Sequence, residues 1–142
     1  MPTTPEWGKP VGNANIGAVQ AIYEAFGKGD VETILGMLAD DVDWSAEAEG
    51  NRAPWYGRRT KAEIPAFFQA IYENLDVTEF DVVSMAANDT DVMVVIRFSE
   101  TVKSTGKSGS MTLHHWWRFR DGKVVLYRGT EDTALTADLL AP

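Results

Sequence analysis

Thr112-Leu-His-His-Trp-Trp-Arg-Phe-Arg-Asp-Gly-Lys-Val-Val-Leu-Tyr-Arg128 is the stretch whose reading decides the fold of this chain. Two β-rich runs flank Asp121-Gly122, a dipeptide whose tolerance of positive φ suits the tight turn between antiparallel strands. Period-two alternation puts Leu113, His115, Trp117 and Phe119 on one face and His114, Trp116, Arg118 and Arg120 on the other. The arginines mark the second face as the solvent or subunit side. His115 therefore turns inward among large apolar residues, either as a satisfied core residue or as the polar group of a pocket. The last strand lacks clean alternation over Val124-Val-Leu-Tyr127, so the facing of Tyr127 stays open.

Working outward, the run Val92 to Val102 is strongly β-branched, with Val92, Val94, Ile96 and Phe98 on one face and Met93, Val95, Arg97 and Ser99 on the other. Both faces are apolar enough to expect cover on both, with a second subunit as the outer partner. Val77 to Ala87 reads as its neighbouring strand, across a turn at Asn88–Asp91. Upstream lie three helical stripes. Val19, Ile22, Tyr23 and Phe26 form the first, in a helix starting near Asn13 or Asn15; Val31, Ile34, Leu35 and Leu38 form the second, capped by Asp30. Ile64, Phe67, Phe68, Ile71 and Tyr72 form the third, opened by a Thr60/Glu63 capping box, with Pro65 predicting an irregular first turn. The spacing of Tyr23 is already explained by packing. Between the second and third helices come a short strand, Val42–Ala46, and a breaker-rich loop whose Trp55-Tyr56 pair is expected to fold over the mouth of a cavity. Thr130–Leu140 reads as a terminal helix or closing segment.

Composition narrows the function classes. At 142 residues the chain is expected to form one domain over 13–142, preceded by a flexible Pro- and Gly-rich arm over 1–12. A net charge of −8 argues against nucleic acid and anionic membrane as partners. With no cysteine, and two histidines adjacent and thus on opposite strand faces, neither a thiol nucleophile nor a metal site is expected. No run is long enough to span a bilayer, and the expected location is cytoplasmic.

Leu38-Ala-Asp-Asp-Val-Asp-Trp44, Trp55-Tyr-Gly57 leading into Thr60-x-x-Glu-Ile-Pro-Ala-Phe-Phe68, and Trp117-Arg-Phe-Arg-Asp-Gly-Lys-Val124 followed by Asp132-Thr-Ala together resemble the SnoaL-like branch of the superfamily that includes ketosteroid isomerase and nuclear transport factor two. The resemblance covers roughly residues 14–136. It implies an α+β fold: a cone-shaped barrel in which a curved antiparallel sheet wraps three N-terminal helices around a deep apolar pocket, commonly dimeric through the outer sheet face.

Position by position, the resemblance is less specific for chemistry. Where the steroid isomerases carry a carboxylate base, this chain has Ala46 with Glu47 beside it. Their phenol aligns with Ile22, one step from Tyr23, and their neutral carboxylic acid aligns with His115. The arginine of the superfamily's epoxide hydrolases matches Arg97, but Ser99 and Gly129 stand where their two carboxylates would be. The polyketide cyclases leave room for one acid/base beside a shaped apolar pocket. The resulting expectation is a cofactor-independent cyclase, isomerase or dehydratase of an aromatic or polycyclic substrate. His115 and Asp132 are its catalytic candidates, with Glu131 as an alternative near the mouth. Trp44, Trp55, Tyr56, Phe68, Tyr72, Arg97, Trp117 and Tyr127 are the candidate ligand contacts. The alternative is a binding or accessory module of the same fold. Capping of the terminal turn competes with catalysis for Asp132, and pairing with surface carboxylates competes with ligand binding for Arg97 and Arg128.

Overall fold

A computed structural model describes residues 13–50 and 52–142, so the arm over 1–12, including Trp7, lies outside the described residues. Helix α1 (Asn13–Gly27) leads through Gly29, at φ +70°, into the short α2 (Val31–Gly36). Asp30 caps α2 by accepting from the Thr33 N–H at 3.2 Å and its hydroxyl at 2.6 Å. Leu38 was expected on the last turn of that helix. It instead opens strand β1 (Leu38–Ala46), because the helix ends at Gly36 and the fully buried Leu38 pairs with Val124. The strand is thus longer than the Val42–Ala46 segment read from the sequence.

The breaker-rich loop ends in a three-residue strand, β2 (Gly57–Arg59), which sequence patterning missed because three polar or glycine positions carry no alternation. The capping box at Thr60 and Glu63 forms, with the Thr60 N–H donating to Glu63 at 2.9 Å. It initiates a 3₁₀ turn, Lys61–Glu63, which places Pro65 in the first turn of α3 (Ile64–Asn74), where a missing N–H costs nothing. Ile64, Phe67 and Phe68 are buried.

Four long strands follow: β3 (Leu75–Ala87), β4 (Asp91–Val102), β5 (Ser108–Arg120) and β6 (Lys123–Thr130), before α4 (Thr133–Leu140). The sheet runs β2-β1-β6-β5-β4-β3. All neighbouring pairs are antiparallel except β1 with β6, which run parallel. The sheet does not close into a barrel: β2 and β3 remain its edges, and the helices complete the core on its concave side. No helix among the described residues is long and apolar enough to cross a membrane.

Asp121 and Gly122 take φ values of +50° and +79°, the two positive values that a two-residue turn joining Arg120 to Lys123 requires. The pairing then shifts between Arg118 and Phe119, so that Val124 faces Phe119 and Tyr127 faces Trp117. The extra residue of this bulge explains the unclean alternation of the last strand and turns Tyr127 inward. Tyr127 then leans along its strand over Gly129, where an added Cβ would overlap the phenol oxygen and lie 2.8 Å from Cζ. Gly129→Ala is expected to destabilise the fold by about 1–3 kcal/mol through overpacking, read from urea denaturation midpoints. An unchanged midpoint would show that the Tyr127 ring is free to move.

Candidate functional site

The concave face encloses a pocket with a void of about 100 Å³, lined by α1, α3 and strands from across the sheet. Its walls are mainly aromatic: Trp44 stacks on Tyr127 at 4.1 Å between ring centroids, and Trp117 meets Tyr127 at 4.6 Å. Phe67 and Phe68 close on Trp44 edge-to-face, at 5.4 and 5.8 Å. Trp44 and Trp117 lie here because β1 and β5 alternate inward and outward, Tyr127 because the β6 bulge turns it inward, and Phe67 and Phe68 because they lie on the buried stripe of α3. An apolar void of about 150 Å³ holds a benzene ring, so this one, about a third smaller, takes at most a single ring and does so only as its walls yield.

His115 lies in the lining, partly buried, opposite Gly129 on β6. Its Nδ1 stands 2.8 Å from the Tyr23 hydroxyl, and the Trp117 indole N–H donates to that hydroxyl at 3.1 Å. The arrangement that satisfies all three groups has Trp117 donating to Tyr23 and Tyr23 donating to Nδ1. The neutral imidazole then carries its proton on Nε2, the nitrogen that Tyr23 does not engage. Burial pushes His115 from its ordinary value of 6.5 down to about 3, with the neighbouring His114 adding to the shift. At neutral pH it is a neutral imidazole whose Nε2–H can donate a hydrogen bond. Burial likewise raises the Tyr23 phenol well above its usual range, so it stays protonated.

Two carboxyl groups share the pocket. Glu131 accepts from the Trp55 indole at 2.8 Å, from the Tyr56 hydroxyl at 3.0 Å and from the Thr136 hydroxyl. It thereby ties the loop before β2 to the start of α4. Glu100 is 2% exposed, and among the described residues its Oε1 has no hydrogen-bond partner; the Trp44 indole N–H, also buried, finds none among them either. Burial, reinforced by the Glu131 charge, raises the Glu100 carboxyl to about 7.

Of the expected ligand contacts, Trp44, Trp55, Phe68, Trp117 and Tyr127 line the pocket. Tyr56 is buried beside it as a Glu131 donor, and Tyr72 is spent on the Phe26 carbonyl, to which it donates at 2.6 Å, so neither lines the void. Arg97 is exposed on the outer face, because its parity on β4 is opposite to that of the buried Ile96 and Phe98. Asp132 is exposed and caps α4, accepting from the Leu135 N–H at 3.0 Å, and does not line the pocket. Glu47 turns to Arg128, 3.2 Å away, leaving Ala46 in the pocket wall. Among the described residues no group of three or more His, Asp or Glu side chains is placed to hold a metal ion.

Tyr23 and Glu100 are the residues that sequence reasoning missed. The alternation that turned Val92, Val94, Ile96 and Phe98 inward reaches Glu100 at its next step, and a lone carboxylate on an apolar parity was the available signal. For Tyr23 the available signal was its place one step from the position where the steroid isomerases carry a phenol; its stripe gave none, since packing and hydrogen bonding demand the same spacing.

The SnoaL-like domain family matches residues 19–127. Among solved structures, an NTF2-like protein from Burkholderia thailandensis is 29% identical, with a TM-score of 0.77 over 87% of this chain and 95% of that one. An NTF2-like protein of unknown function from Burkholderia pseudomallei is 24% identical, with a TM-score of 0.83 over 91% and 98% of the two chains. TerC, co-crystallised with polyporic acid, is 23% identical, with a TM-score of 0.79 over 89% and 97%. No curated protein matches the sequence.

The two perturbed groups oppose each other in pH dependence. His115 is neutral when folded and protonates near 6.5 when unfolded, so its contribution falls as pH drops from 6.5 toward 3. Glu100 holds its proton to about 7 when folded but only to about 4.5 when unfolded, so its contribution falls as pH rises from 4.5 to 7. Between pH 4.5 and 6.5 these slopes, each up to about 1.4 kcal/mol per unit, oppose. Relative to the parent, His115→Phe is expected to lose stability with rising pH and Glu100→Leu with falling pH, measured by urea denaturation. Parallel curves for all three proteins would contradict the assignment.

Proposed function

The chain belongs to the SnoaL-like domain family, and from that premise we propose that it is a cofactor-independent enzyme activating a carbonyl on a small aromatic or cyclic substrate. The observation that carries this reading is the chain of hydrogen bonds from Trp117 through Tyr23 to His115. It fixes the imidazole with Nε2–H as donor inside an aromatic pocket. A ketone oxygen accepting from Nε2 gains negative charge as a proton leaves the adjacent carbon, and a preorganised donor favours that charge. Glu131 lines the same pocket two residues beyond Gly129, the cross-strand partner of His115, and is the carboxylate that takes the proton. Isomerisation and aldol closure share this first step. The void of about 100 Å³ favours a single ring; a polycyclic substrate requires the loop bearing Trp55 and Tyr56 to open.

The test is hydrogen–deuterium exchange at the carbon next to the carbonyl of ring ketones such as acetophenone, followed by NMR. The parent is expected to catalyse exchange, and His115→Phe to lose about 10²–10³-fold, the usual cost of removing one oxyanion donor. Tyr23→Phe should lose less, since His115 remains. Ketones that bind without exchange would instead support the alternative, a binding module of the same fold.

A second copy of this chain is our proposal for the partner on the outer face of the sheet. Met93, 50% exposed, faces the half-buried Trp116 across β4 and β5 with the half-buried Val95 beside it, an apolar strip that the described residues cover only in part. Size-exclusion chromatography with light scattering should give a dimer for the parent and a monomer for a Met93→Glu/Val95→Lys double variant. A monomeric parent overturns the assignment.

A further inference from the structure

Glu100 is the charged group that the preceding reading leaves without a task. It stands on β4 six residues beyond Val94, which pairs with His115, and so lies at a different level of the same pocket. Glu100 pairs with Gly109 on β5, and the space over Gly109 is taken by Leu135 and Leu139 of α4: a Cβ built there would meet them at 3.3 and 3.0 Å. The carboxyl is therefore held at the α4 end of the pocket, with the aliphatic side chains of α4 packed over the neighbouring strand on the same face. A buried carboxyl oxygen without a partner carries an uncompensated loss of hydration, which is recovered when a ligand group supplies the bond. Glu131 does not supply it, because its two oxygens are already engaged in accepting from Trp55, Tyr56 and Thr136.

We propose that Glu100 is a specificity-determining residue that accepts a hydrogen bond from a hydroxyl of the ligand, so that the pocket takes ring compounds carrying a carbonyl at one end and a hydroxyl at the other. The inference rests on the carbonyl being anchored at His115. Glu131, at the same end, has both oxygens accepting from Trp55, Tyr56 and Thr136 and offers no donor, so the group that completes Glu100 comes from the ligand. Either protonation state of Glu100 leaves a lone pair for the ligand hydroxyl. A site built to bond a hydroxyl rejects the analogue that lacks one, whereas an apolar wall barely distinguishes the two.

Two probes of nearly equal shape separate these cases: 4-(hydroxymethyl)acetophenone and 4-ethylacetophenone, each titrated by calorimetry into the parent, Glu100→Leu and Glu100→Gln. The parent is expected to bind the hydroxymethyl compound about tenfold or more tightly than its ethyl counterpart. Glu100→Leu, which removes a buried unpaired carboxyl, should fold and reverse the preference; Glu100→Gln should keep a reduced one, since an amide oxygen still accepts. Equal binding of both probes by the parent would overturn the role of Glu100 while leaving the ketone site intact. A preference that persists unchanged in both variants would place the hydroxyl elsewhere and overturn it too. If neither ketone binds the parent, the carbonyl anchor at His115 fails as well.

Discussion

The register of the β5–β6 hairpin is the constraint on which the remaining structure depends. Period two makes a strand an all-or-none device, because a slip of one residue would drive Arg118 and Arg120 into the core and send Trp117 and Phe119 into water. The positive φ angles at Asp121 and Gly122 hold that register from one end. The bulge past Phe119 then restores inward facing for Tyr127, which without it would point outward. With both strands so fixed, Trp117, Tyr127 and His115 converge, and Trp44 on β1 stacks against them.

This convergence couples the helices to the sheet by more than apolar contact. Tyr23 on α1 accepts from one β5 side chain and donates to another, so the hydrogen bonds that orient His115 also dock the helix. The docking of the helix and the orientation of His115 share the same atoms here. Glu131 has the corresponding role at the other end, where three donors from the loop and α4 hold one carboxylate and close the pocket beside it. The two ends differ in electrostatics. Near His115 the pocket presents a neutral donor, and near Glu100 it presents two acidic groups.

Much of the fold was legible in the sequence. The stripes of α1 and α3, the Asp30 cap, the Thr60/Glu63 capping box, the hairpin and the inward parity of β4 and β5 are local patterns, and each formed. Errors arose where tertiary pairing overrode local pattern. Leu38 fitted a helical stripe but found a strand partner in Val124, and β2 exists only because β1 offers it an edge. Arg97 and Asp132 were drawn in by residue type; the exposed parity of one and the capping geometry of the other removed them from the pocket.

Sequence by itself determined which faces are apolar, where helices begin and that His115 points inward, because these follow from spacing along a single segment. Only the tertiary structure decided what His115 touches. The partner that sets its tautomer, Tyr23, lies 92 positions away, and the carboxyl that shares its pocket, Glu100, belongs to another strand. Burial and hydrogen bonding across segments depend on the relative placement of elements, which periodicity does not encode. The proton-holding properties of His115 and Glu100 follow from that placement, through the loss of water around each.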